Sequence, residues 1–122
     1  MNELETTMRT ISGKELKAKL DRGDDFKLVM TLNEWAFRAK HIPGSIYLAS
    51  QEQVESTLRP DDEIVVYCTN PACSASITAY EALTAQGFTN VVRYAGGIQE
   101  WEGAGYPIEG GNQDERADEQ KD

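Results

Sequence analysis

Cys68 closes a short β-branched run, Ile64-Val65-Val66-Tyr67, and is the side chain in this sequence best placed to do chemistry. The run reads as a strand buried on both faces of a parallel sheet. A small, polar loop follows (Thr69, Asn70, Pro71, Ala72, Cys73, Ser74), and a helical stretch is expected from about Ser74. Ile77, Tyr80, Ala82 and Leu83 offer that helix an apolar stripe, and Gly87 stands where a left-handed residue ends it. The carboxyl end of a buried strand, facing a helix N-terminus, is where an α/β fold places its reactive groups. Loop amides from Thr69 to Ser74, converging with the positive end of the helix, would favour a thiolate at Cys68. A free thiol is only about 3% ionised at neutral pH. Making it mostly thiolate requires a differential stabilisation of about 2.7 kcal/mol. The competing reading is a structural cysteine buried at a strand end.

Other candidates carry plainer explanations beside the chemical ones. Cys73 is either a resolving thiol for Cys68 or a small buried residue at the first helical turn. The C-x4-C spacing does not guarantee sulfur–sulfur reach, so the second is favoured. His41 suits a turn-anchoring hydrogen bond better than a catalytic base, because a thiolate already formed needs none. Trp35 and Trp101 read as core or rim packing residues. Gly96-Gly97 reads as a backbone requirement beside the Cys68 loop rather than a phosphate cradle.

A chain of 122 residues accommodates one domain. Its net charge of −9 argues against nucleic acid and anionic membrane surfaces as partners. Two cysteines make no disulfide framework, and with one histidine they are too few for a zinc site, so neither metal nor cofactor is expected. MNELETTMRT has no apolar signal-like run, and no stretch approaches membrane-spanning length. The expectation is a cytoplasmic protein whose thiols stay reduced.

The elements that must position Cys68 follow from caps and apolar runs. Residues 1–9 are polar and expected to fray. Ser12 and Glu15 form a capping box for a helix carrying Leu16 and Leu20. Phe26 to Met30 reads as a strand, Asn33 as the cap of a short helix, and His41-Ile42-Pro43-Gly44-Ser45 as a turn into the strand Ile46-Tyr47-Leu48. Ser50 and Gln53 cap a helix to about Leu58. Asn90 to Tyr94 is a further strand, and Ile98 to about Ala104 a last short helix with Trp101. Residues 110–122 form an acidic tail expected to be disordered. The alternation of strand and helix predicts an α/β domain over residues 10–109, with a mainly parallel sheet flanked by helices on both faces.

Four segments in this order, ISGKEL, HIPGS, VVYC with its loop, and GGIQEW followed by GYPI, resemble the rhodanese-like single-domain sulfurtransferases over about Thr10 to Glu109. The resemblance implies a sheet of about five strands and a sulfur-carrying cysteine, Cys68. It implies double displacement: Cys68 takes sulfane sulfur from thiosulfate or a low-molecular-weight persulfide and hands it, as a persulfide, to a thiophilic acceptor such as a protein thiol. Residues 69–74 would form the substrate-binding loop. Related phosphatases use a C-x5-R loop; Ser74 occupies that arginine position, which disfavours phosphate chemistry. Three places depart from the family pattern. Cys73 stands where an arginine is frequent, and Met30 and Leu32 stand where an acidic residue and an arginine usually close the first strand. The loop therefore has no charged side chain, which favours a less charged persulfide donor over thiosulfate. Arg38, Lys40, His41 and Arg93 are the cations that remain to supply charge. Two alternatives stay open: a non-catalytic binding or sensing module, and a Cys68–Cys73 redox switch.

Overall fold

Four short, mostly apolar strands set the architecture of the computed structural model, which describes residues 8–70 and 72–110. They are β1 (Lys27–Met30), β2 (Ile46–Tyr47), β3 (Ile64–Tyr67) and β4 (Val91–Tyr94). All pair parallel in the order β2-β1-β3-β4, so β3 is central and Cys68 leaves its carboxyl end. The helices are α1 (Gly13–Arg22), α2 (Glu34–Ala39), α3 (Gln51–Thr57), α4 (Ala75–Ala85) and α5 (Gly97–Gly103). The expected number of strands was about five. Beyond β4 the structure has a single parallel bridge between Thr10 and Arg93, too short to count as a strand. Arg9, read from sequence as part of the fraying N-terminus, is tied into that bridge: its carbonyl accepts from the Arg93 N–H at 2.9 Å. Residues 1–7 and 111–122, where the frayed end and acidic tail were expected, lie outside the described residues.

The period-two alternation of the strands sorts side chains into two cores, one on each face of the sheet. Leu28, Met30, Val65, Tyr67, Val92 and Tyr94 meet Leu16 of α1 and Ile98 and Trp101 of α5. Val29, Ile64, Val66 and Val91 meet Leu58, Leu83 and Phe88 on the other. Helices thus cover both faces, as the alternation predicts.

Local chemistry fixes the helix ends. Ser12 Oγ accepts from the Glu15 N–H while Glu15 Oε1 accepts from the Ser12 N–H, closing the capping box. Asn33 Oδ1 accepts from Ala36 N–H, and Ser50 Oγ from Gln53 N–H. Gly87, at φ 102°, ends the turn after α4 in the left-handed region. The inward face of α4 differs from the expected stripe. Ser76 and Leu83 are buried, whereas Ile77 is half-buried and Ala82 exposed. The reason is Arg93, aligned in register with Val66 on the α4 face and 8% exposed, whose Nε donates to Ser76 Oγ at 2.8 Å. A buried guanidinium requires acceptors, and this one turns the polar side of α4's first turn inward.

Candidate functional site

Cys68 is 1% exposed and is joined to Cys73 by a disulfide, with the two Cα atoms 6.3 Å apart. This corrects the favoured sequence reading of Cys73 as a plain buried residue and bears on the alternative, a thiol within reach of Cys68. It also corrects the expectation of free thiols, since both cysteines are oxidised in this form. Asn70 supplies the physical reason. Its side-chain oxygen accepts from the Ala72 N–H and its carbonyl from the Cys73 N–H, each at 3.0 Å. This Asx-type turn doubles the loop back so that residue 73 returns to residue 68. The same bonds revise the expected amide nest: the N–H groups of Ala72 and Cys73 are directed at Asn70, not at Cys68. Pro71 lies outside the described residues.

The remaining positions of the loop have distinct surroundings. Thr69 is half-buried, and Ser74 is exposed and precedes α4 without a side-chain cap. The positive end of an eleven-residue helix therefore opens directly after the cysteine loop. From beneath, the first turn of α5 grips the loop backbone: Ile98 N–H donates to the Cys68 carbonyl at 3.0 Å and Gln99 N–H to the Thr69 carbonyl at 2.9 Å. Gly97 permits that approach. It sits at φ 70°, and a Cβ there would fall 2.6 Å from the Thr69 carbonyl carbon. Of the glycine pair, Gly97 is thus a backbone requirement of the loop, whereas Gly96 has an ordinary helical backbone and a Cβ there would meet the Glu100 side chain.

The HIPGS turn is anchored to β3 by Tyr67, a link the sequence reading missed. Tyr67 Oη accepts from the Ile42 N–H at 3.1 Å and lies 2.9 Å from Ser45 Oγ, which donates to the Ile42 carbonyl. Burial pushes the Tyr67 hydroxyl pKa up, against the lowering effect of these bonds. The signal available in sequence was a tyrosine closing an otherwise aliphatic buried strand, since a buried phenol demands a partner. His41 stacks on Phe37, with Nδ1 2.7 Å from the Phe37 carbonyl and Nε2 3.5 Å from Glu109 Oε1. It is a turn anchor, as expected.

Thr69 lines a groove of about 250 Å³ with Met30, Leu32, Trp35, Ile98 and Glu102. Where charged residues are usual at the end of the first strand, Met30 is buried in the core and Leu32 packs against it. The rim cation of this groove, Lys40, is paired with Glu102 at 2.8 Å. Arg38 lies 3.7 Å from Glu34, and Arg93 is buried against Ser76. Trp35, expected in a core or rim, is 75% exposed, because α2 has no buried residue and turns this side of its short length outward. Trp101 is buried as expected, its Nε1 donating to the Pro107 carbonyl. Among the described residues no group of three or more His, Cys, Asp or Glu side chains is placed to hold a metal, and no helix is long and apolar enough to cross a membrane.

A parallel α/β sheet with a cysteine loop between its central strand and an uncapped helix defines the class of the molecule. A family model described as the rhodanese-like domain matches residues 12–104, and the chain belongs to that family. Solved structures are similar in fold. The BH2092 protein from Bacillus halodurans aligns at TM-score 0.76 and 24% identity, over 89% of this chain and 82% of that one. The Alr3790 protein from Anabaena sp. aligns at TM-score 0.75 and 22% identity, over 88% and 86%. A thiosulfate sulfurtransferase from Pseudomonas aeruginosa aligns at TM-score 0.74 and 23% identity, over 89% of this chain and 21% of that one. A search of curated proteins gives no match.

Proposed function

We propose that the chain, once the Cys68–Cys73 bond is reduced, is a sulfurtransferase that carries sulfane sulfur on Cys68. The observation that carries this reading is the seat of Cys68: the end of the central strand, held from below by Ile98 N–H and followed by the uncapped N-terminus of α4. An anionic sulfur is favoured at such a place. Membership of the rhodanese-like family and the fold shared with a thiosulfate sulfurtransferase support the same chemistry. The thiolate attacks the outer sulfur of a donor, the donor leaves as its own anion, and the Cys68 persulfide then yields that sulfur to a thiophilic acceptor. The loop of residues 69–74, which bears no charged side chain, would bind the donor through the main-chain N–H groups that the Asn70 turn leaves over. A small persulfide suits the groove beside Thr69 better than thiosulfate does, because the cation there, Lys40, is already paired with Glu102. A protein thiol is the proposed physiological acceptor and the cytoplasm the proposed compartment.

The test is thiocyanate formation from cyanide by the reduced protein, with thiosulfate or a low-molecular-weight persulfide as donor. Activity that vanishes in Cys68→Ala supports the reading, and its absence with every donor counts against it. The Cys68–Cys73 bond itself favours the second reading, a redox switch in which oxidation closes the site.

A further inference from the structure

The two sulfurs of the Cys68–Cys73 bond are unequal. Cys68 is 1% exposed at the end of β3, whereas Cys73 is half-buried in the loop. The Asn70 turn spends two main-chain N–H groups on folding the loop into the shape that returns residue 73 to residue 68. Where a substrate-binding cation is frequent in the family, the chain therefore places a second nucleophile within bonding reach of the first.

We infer that Cys73 is the resolving nucleophile that discharges the Cys68 persulfide as sulfide, making the protein a hydropersulfide reductase driven by an external dithiol. This rests on the reading of Cys68 as the persulfide carrier. The Cys68 thiolate attacks the outer sulfur of a donor hydropersulfide, forming Cys68–S–SH and releasing the donor thiolate. The Cys73 thiolate then attacks Cys68 Sγ. The bond between Sγ and the outer sulfur breaks, hydrosulfide leaves with that electron pair, and the Cys68–Cys73 disulfide forms. One sulfane sulfur is reduced by two electrons while two thiols are oxidised to one disulfide; the thiol proton passes to solvent. A dithiol closes the cycle by attacking Cys73 Sγ, the more accessible sulfur, which expels Cys68 as thiolate at the α4 N-terminus. The second thiol of the reductant then resolves the mixed disulfide.

The experiment is anaerobic. Reduced, desalted protein receives one equivalent of glutathione hydropersulfide, and sulfide release and intact mass are followed in the native chain, Cys73→Ser and Cys73→Ala. In the native chain the expected result is near-stoichiometric sulfide and a final mass about 2 Da below that of the reduced chain. Both variants are expected to retain about 32 Da and to release sulfide only after dithiothreitol is added. If the native chain retains the added sulfur as long as the variants do, Cys73 is not the resolving thiol. If no form takes up sulfur, while circular dichroism shows each to be folded, the reading of Cys68 fails and takes this inference with it.

Discussion

The main-chain N–H of Ile98 donates to the carbonyl of Cys68 at 3.0 Å, so the last described helix fixes the backbone of the cysteine that follows the central strand. This contact, with its neighbour from Gln99 to Thr69, holds the start of the cysteine loop independently of the disulfide.

Gly97 is the point on which that contact turns. Gly97→Ala places a methyl group 2.6 Å from the Thr69 carbonyl and forces a left-handed φ on a residue with a side chain. The expected cost is above about 2 kcal/mol, read from the urea midpoint. Thiocyanate formation should fall further than stability alone explains, because Cys68 and Thr69 lose their anchors.

Tyr67 makes stability sensitive to alkali. Burial raises its folded pKa above the unfolded value of about 10, so its contribution is fully present below about pH 10 and is lost as pH rises through the folded value. Tyr67→Phe is expected to cost about 1–2 kcal/mol at neutral pH, by orphaning the Ile42 N–H and removing a partner of Ser45. It should also flatten the fall in stability above about pH 10. Tyr94, likewise raised by burial and by its bond to Glu100, leaves a residual slope in both proteins. Urea unfolding across that range checks the difference.

Leu32 gives the groove beside Thr69 an apolar wall. Leu32→Arg places a guanidinium there, and KM for thiosulfate is expected to drop by about tenfold or more, the usual worth of a charge-assisted hydrogen bond. KM for glutathione hydropersulfide should change far less. An equal shift for both donors would show that the groove does not discriminate by charge.

The parts of this fold that were legible in the sequence are those fixed by neighbours in sequence. Ser12 with Glu15, Asn33 and Ser50 announce their helices because a capping side chain acts within three residues, and strand ends fall within one or two residues of the apolar runs. The position of Cys68 could be read because a strand, a polar loop and a helix follow one another there. Three features could not. The reach of Cys73 depends on which way the side chain of Asn70 turns, although Asn-Pro is itself a turn signal. The inward face of α4 depends on Arg93, which lies seventeen residues from Ser76. The exposure of Trp35 depends on how a six-residue helix sits against the sheet.

Trp35 and Trp101 give the molecule an internal optical ruler. One indole stands in water at the mouth of the groove that Thr69 shares, while the other is sealed between Tyr94 and Tyr106 and hydrogen-bonded to Pro107. Emission from the first follows whatever settles beside the loop, and emission from the second registers only whether the domain is intact. Occupancy and folding can thus be separated in one spectrum, without a label.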